Sequence, residues 1–105
     1  MVEYAAWIVF GKPPDKQEVV VIKAFKRDLA TTPEQAIFVG LAATKDAFNN
    51  WQFGAVLLAG NVEQTKTDLQ NAFIRFGVPE NEVSDLIQRF ALQVKAAIKL
   101  ATNVH

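Results

Sequence analysis

The fold of this chain is decided by residues 61–102, which read NVEQTKTDLQNAFIRFGVPENEVSDLIQRFALQVKAAIKLAT. Apolar side chains recur at helical spacing in both halves of this stretch, on either side of Gly77. A glycine suits the left-handed residue that ends a helix, and Pro79 suits the first turn of the next helix. The sequence therefore predicts two amphipathic helices that form a C-terminal hairpin.

Each helix of this hairpin has its own start signal and apolar stripe. Asn61 is predicted to be the first N-cap, because its side chain can accept a hydrogen bond from the backbone N–H of Gln64. The stripe of the first helix consists of Val62, Leu69, Phe73 and Phe76. The second helix is predicted to run without a break to about Thr102, and its stripe consists of Val83, Ile87, Phe90, Val94, either Ala97 or Ile98, and Ala101.

Two strands are predicted in the first part of the chain. Residues Val2–Phe10 are rich in β-branched and aromatic side chains, and Glu18–Phe25 contain the run Val19-Val20-Val21-Ile22. Gly11–Asp15 separate the two segments with a glycine and two prolines, so a hairpin with a long loop is expected. The alternative is a helix that begins at Asp15, and the four β-branched residues in a row weigh against it.

The middle of the chain is predicted to form a helix and a third strand. Thr32-Pro33-Glu34-Gln35 is typical of a helix start, and the helix should run to about Phe48. Its buried side should consist of Ile37, Leu41, Thr44 and Phe48. Trp51–Ala59 is apolar on both faces, which favours a central strand. The alternative for this segment is a helix continuous with the one after Asn61.

These elements predict one α+β domain over residues 1–105, in the order β-β-α-β-α-α. A small three-stranded sheet is expected to be covered by the middle helix and the C-terminal helical hairpin. If the second and third strands are parallel neighbours, their connection should cross over right-handed. The alternative architecture is an all-helical bundle.

Charge and composition exclude several classes of function. Eleven basic and eleven acidic residues give a formal net charge of zero, so no overall field draws the chain to nucleic acid or to an anionic membrane. The sequence has no cysteine, and its single histidine is His105. Disulfides, thiolate catalysis, cysteine-ligated zinc and histidine-based triads are therefore excluded. We expect no enzymatic activity, no metal and no cofactor.

The first residues of the sequence do not match the pattern of a targeting signal. Its first residues lack a basic segment, and the apolar run Ala5–Phe10 is too short for a signal core or a membrane span. We therefore expect no secretion signal and no membrane span. The expected location is a reducing cytoplasm, or the interior of a virion or an organelle.

Residues 72–86 resemble the spacing of a helix-turn-helix DNA reader, with Gly77 in the turn. That resemblance implies a recognition helix in the major groove of DNA. This sequence departs from the pattern at Phe73, where a small residue is usual, and at Glu80, Glu82 and Asp85, which would face phosphates. A plain helical hairpin is therefore favoured.

The leading functional hypothesis is a small non-catalytic module that binds another protein, most simply a second copy of itself. Half of the residues are apolar, and Phe38, Ile74 and Leu92 fall outside the predicted stripes. These three residues are the candidate interaction residues.

Two other hypotheses remain open. Lys23, Lys26 and Arg27 form a basic hairpin region that could bind nucleic acid, although edge lysines more often serve to discourage strand pairing. An apolar-ligand carrier would need a closed cavity, and the aromatic residues expected to line it are Trp7, Phe48, Trp51 and Phe53.

Overall fold

The computed structural model describes residues 4–16, 18–42, 44 and 48–102. It contains the strands β1 (Ala5–Lys12), β2 (Val20–Lys26) and β3 (Gln52–Ala59). The helices are α1 (Pro33–Ala42), α2 (Val62–Arg75), α3 (Val83–Arg89) and α4 (Ala91–Thr102), with 3₁₀ turns at Arg27–Leu29 and Glu80–Glu82. The predicted α+β class is confirmed, and the all-helical alternative is wrong.

The three strands form an antiparallel sheet in the order β2-β1-β3. The central strand is therefore β1, and the prediction that Trp51–Ala59 is central is wrong. β3 is apolar on both faces because α1 and α2 both contact it. It therefore resembles a central strand in sequence, although only one of its edges is paired. β2 and β3 run parallel to each other, but β1 separates them, so they are not the neighbours that the crossover rule requires.

Alternate side chains of β1 enter two different cores. Ile8 and Phe10 point to the face that is covered by α2, α3 and α4. Trp7 and Val9 point to the opposite face, which is covered by α1. The sheet is thus the middle layer of three, and β1 contributes to the core on both sides.

The predicted hairpin of the first two strands is confirmed, and the competing helix from Asp15 is wrong. β2 has one extra residue, because Val9 faces Lys23 while Phe10 faces Val21, which leaves Ile22 without an opposite residue. This irregularity is a β-bulge. The predicted strand residues Val2 and Glu3 lie outside the described residues.

Helix α1 begins as predicted, since the Thr32 hydroxyl accepts a hydrogen bond from the Gln35 N–H at 3.1 Å. The prediction that it continues to Phe48 is wrong: α1 ends at Ala42, and Phe48 and Thr44 are not helical, although residues 43 and 45–47 lie outside the described residues. The Thr44 N–H and hydroxyl both donate to the Leu41 carbonyl, which tightens the last turn.

The buried side of α1 also differs from the predicted stripe. Ala36 and Gly40 are its buried residues, whereas Ile37 and Leu41 are half-buried. A Cβ atom at Gly40 would lie 3.1 Å from a methyl group of Val9. Small residues therefore let the helix approach the sheet closely, and a search for large apolar residues misses this face.

Helix α2 agrees with its prediction at both ends. The Asn61 side chain accepts from the Gln64 N–H at 2.8 Å. Leu69 and Phe73 are fully buried. Gly77 has φ of +109°, and the Val78 N–H donates to the Phe73 carbonyl at 3.0 Å, so the helix ends in a left-handed glycine turn.

The second helix of the predicted hairpin is divided in two. At Phe90 the backbone has φ of −111° and ψ of 37°, which separates α3 from α4. The break lets α4 contact β1 and β2 while α3 contacts α2. It has no sequence signal, because residues 83–102 contain neither glycine nor proline. The burial of Val94 and Ala97 on α4 follows the predicted stripe.

Candidate functional site

The outer edge of β3 is one of the two edges of the sheet. β3 pairs with β1 on one side, and no other described strand pairs with it on the opposite side. In an antiparallel strand, the N–H and C=O groups of alternate residues point to each edge. The outward-pointing backbone groups of β3 are therefore free, within the part of the chain that the structure describes, to pair with another strand.

This edge is long, regular and uncharged. β3 reads QFGAVLLA, without a charged residue or a proline. It pairs with β1 in one continuous register, from Gln52 opposite Lys12 to Ala59 opposite Ala5, and no bulge interrupts it. Apart from Leu58, every residue of β3 is half-buried or exposed. Strands of this kind are the ones that accept an added strand.

The opposite edge of the sheet, on β2, has features that discourage strand addition. β2 contains Lys23 and Lys26, both exposed, and the bulge at Ile22 interrupts its regular pairing. The two lysines are three residues apart after the bulge, so they project from opposite faces of the sheet. Lysines and bulges are common protections of edge strands. The two edges of this sheet are thus chemically different.

A groove runs beside β3, between the strand and α2. Its volume is about 520 Å³. The residues that line it are Val56, Leu57, Asp68, Asn71, Ile74 and Arg75. Leu57 is 39% exposed and points to the face of the sheet that α1 covers, because it pairs with Trp7. Ile74 is 41% exposed on α2, which covers the opposite face, so this side of the molecule presents one large apolar side chain on each face of the sheet. We refer to the outer edge of β3 and this groove as the β3 surface.

The three predicted interaction residues are all exposed, as predicted, but they do not form one surface. Phe38 is 74% exposed on α1, and α1 covers the other face of the sheet from α2 and α4. Leu92 is 83% exposed on α4. Only Ile74 lines the groove beside β3. Leu57 was missed, because a strand that is predicted to be central gives no reason to expect an exposed leucine.

The basic hairpin region is also divided by the structure. Lys23 and Lys26 lie on opposite faces of β2, and Arg27 begins the following 3₁₀ turn. A nucleic-acid strand lying on one face of the sheet would therefore meet only one of the two lysines. Nucleic-acid binding stays a prediction without support from this geometry.

Three of the four aromatic residues that were expected to line a ligand cavity pack against one another, and the fourth, Trp7, is buried in the core under α1. The rings of Phe48 and Trp51 meet edge-to-face at 4.9 Å, and those of Phe48 and Phe53 at 5.8 Å. Trp7 is buried and donates its indole N–H to the Ala30 carbonyl at 3.0 Å. The carrier hypothesis stays a prediction, and this packing gives it no support.

A second cleft, of about 510 Å³, lies near the loop that contains Gly77, Val78 and Pro79. Its charged lining residues are Lys12, Glu18, Glu82, Asp85 and Arg89. Arg89 and Glu18 form an ion pair at 3.3 Å, and both side chains are more than half exposed. Such pairs contribute little to stability.

Two further structural observations concern only the described residues. They include no group of three or more acidic, histidine or cysteine side chains placed to hold a metal ion. None of their helices has the length and apolar character needed to cross a membrane.

Comparison with known proteins does not add to this geometry. No family model matches the chain, and neither the curated proteins nor the solved structures contain a significant match to it.

Proposed function

We propose that this protein is a small, non-catalytic assembly module that binds a second copy of itself through the β3 surface. The observation that carries the proposal is the contrast between the two sheet edges. The β2 edge has two lysines and a bulge, whereas the β3 edge is uncharged, regular and largely uncovered. An unprotected edge of this kind favours pairing with another chain.

A second copy is the occupant that the surface fits most simply. An antiparallel strand edge is complementary to itself, so two β3 strands can exchange backbone hydrogen bonds around a two-fold axis. The result is a continuous sheet of six strands. Two copies have no long-range charge repulsion to overcome, because the formal net charge of the chain is zero.

The expected affinity is moderate. Pairing would cover the exposed parts of Leu57 and Ile74, and complete burial of a side chain of this size contributes about 1.5–3 kcal/mol. Both side chains are already more than half buried, so their contributions should be smaller. We therefore expect a dissociation constant on the order of 1–100 μM, which corresponds to about −8 to −5.5 kcal/mol.

The test is the molar mass in solution, measured by sedimentation equilibrium from about 0.5 μM to about 1 mM, a range that brackets the expected dissociation constant. The wild-type chain should shift from the 11.6 kDa monomer toward twice that mass. Leu57→Lys places a charge at the edge and should raise the dissociation constant at least about tenfold, as edge lysines do in natural sheets.

The matched control is Leu92→Lys, the same substitution at a more exposed leucine on α4. It should leave the dissociation constant within about twofold, because a change away from the interface should cost less than about 0.5 kcal/mol. Far-UV circular dichroism should show that both variants are folded. A strictly monomeric wild-type chain at 1 mM would refute the proposal, and so would dissociation caused by Leu92→Lys alone.

A further inference from the structure

We infer that the two copies pair about a two-fold axis at Val56, and that Asp68 of each copy faces Arg75 of the other. This inference rests on the proposed self-association and specifies its register. It follows from three features of the β3 surface: the order of large and small residues along β3, the position of α2 above the strand, and the charges on α2.

The symmetry restricts the registers that are available. A two-fold axis perpendicular to the sheet keeps each face of β3 on the same side in both copies. Residues that face each other across antiparallel strands also point to the same side. The axis must therefore pass through a residue of β3 and not between two residues.

With the axis at Val56, a small residue faces a large one in every pair except the central one. The facing pairs are Phe53 with Ala59, Gly54 with Leu58, Ala55 with Leu57, and Val56 with Val56 of the second copy. Seven of the eight residues of β3 are then paired. Interdigitation of large and small side chains is what close packing across a sheet requires.

The registers on either side fit less well. An axis at Ala55 would set Phe53 against Leu57 and the amide of Gln52 against Leu58. An axis at Leu57 would set Leu57 against itself and Val56 against Leu58, and it would leave the first part of β3 unpaired. The order of residues in β3 therefore favours the axis at Val56.

Helix α2 is centred on the same axis. The position of a Cβ atom at Gly54 would lie 3.1 Å from the ring of Phe76, so the C-terminal end of α2 lies above Gly54. Asn71 precedes Phe76 by five residues, which is about 7.5 Å along a helix and about two residues along a strand. Asn71 therefore lies close to Val56, and both line the groove.

The charges on α2 are arranged symmetrically about Asn71. Asp68 is three residues before it and Arg75 is four residues after it, and all three line the groove. Their separation of seven residues is about 10 Å, or two helical turns, which places both charges on one side of the helix. Around the proposed axis the two α2 helices run antiparallel, so each Asp68 meets the Arg75 of the other copy.

The charge contacts are tested by exchanging their signs. Asp68→Arg and Arg75→Asp should each weaken the homodimer at least tenfold, because two like-charged pairs replace two opposite ones. An equimolar mixture of the two variants should form a heterodimer with an affinity within threefold of the wild type. The control Lys66→Asp changes an exposed charge of α2 that does not line the groove, and it should have less than a twofold effect.

The register is tested by disulfide cross-linking, since the natural sequence has no cysteine. Facing Cα atoms of antiparallel strands lie about 4.5–5.5 Å apart, within the range of about 4.4–6.8 Å for a disulfide. Val56→Cys should cross-link to itself under mild oxidation. Ala55→Cys and Leu57→Cys should cross-link only when mixed. Non-reducing electrophoresis with mass spectrometry measures both.

The outcomes separate this inference from the proposed function. A wild-type dimer that Leu57→Lys dissociates, but that neither charge variant weakens, would overturn the charge pairing and leave self-association intact. The charge pairing would also be overturned if the mixture of Asp68→Arg and Arg75→Asp bound no more tightly than each variant binds itself. Cross-linking of Leu57→Cys to itself would move the axis and overturn the register. A monomeric wild-type chain would overturn both proposals.

Discussion

At Gly54, β3 passes close to two aromatic rings of the core. A Cβ atom there would lie 2.6 Å from the Phe10 ring and 3.1 Å from the Phe76 ring. Phe10 itself is held edge-to-face against Phe73 at 5.1 Å and against Phe76 at 4.9 Å, so it has little room to move. We expect Gly54→Ala to lower the free energy of unfolding by about 1–3 kcal/mol, as overpacking does, measured by urea denaturation.

A second substitution shows whether the ring contact is the cause. Phe10→Leu removes the two Phe10 ring atoms that the new methyl group would meet most closely, and it leaves the contact with Phe76. In the double variant Phe10→Leu/Gly54→Ala, the added methyl group should therefore be tolerated better, with a coupling energy of about 1 kcal/mol. Strict additivity of the two single effects would contradict the explanation.

Among the elements, α2 has a start that depends on one side chain. Asn61→Ala removes the acceptor that satisfies the Gln64 N–H and should lower the free energy of unfolding by about 1 kcal/mol. Asn81→Ala is the control, because Asn81 is exposed in the Glu80–Glu82 turn, which has no side-chain cap. Its effect should stay within about 0.5 kcal/mol in the same measurement. Equal effects of the two substitutions would show that the cap contributes nothing.

The elements also show what the sequence could predict. The cap at Asn61, the glycine turn at Gly77 and the hairpin of β1 and β2 are local signals, and the structure confirms each of them. The break at Phe90 and the close approach of α1 through Gly40 depend on what the helices contact. Such contacts form only in the complete fold, so no local sequence pattern predicts them.

For the whole molecule, the important feature is that β1 belongs to both cores. Neither core can lose β1 without exposing the other, so we expect one cooperative unfolding transition. In the variant Trp51→Phe, the fluorescence of Trp7 reports the core under α1, and far-UV circular dichroism reports mainly the helices of the opposite layer. The two urea curves should have midpoints within about 0.2 M, given ordinary slopes and errors. Separate midpoints would show that the two layers unfold independently.

The candidate site could be predicted only in part, because it depends on the order of the strands in the whole molecule. Ile74 was found because it falls off the stripe of its own helix. Leu57 was missed because the same apolar strand can occupy the centre or the edge of a sheet, and strand order is decided by partners far away in sequence. Phe38 and Leu92 are exposed as expected, but they lie away from the β3 surface. The position of a residue on its own helix does not predict its distance from another element.

The central position of β1 also has a consequence for the newly made chain. During translation, β1 is synthesised well before β3. At about 5–20 residues per second, the time between the synthesis of the two strands is several seconds. During that time β1 can pair with β2 but leaves its other edge open and its faces uncovered. We expect nascent chains truncated before residue 52 to recruit chaperones, and chains that include α2 to lose this dependence.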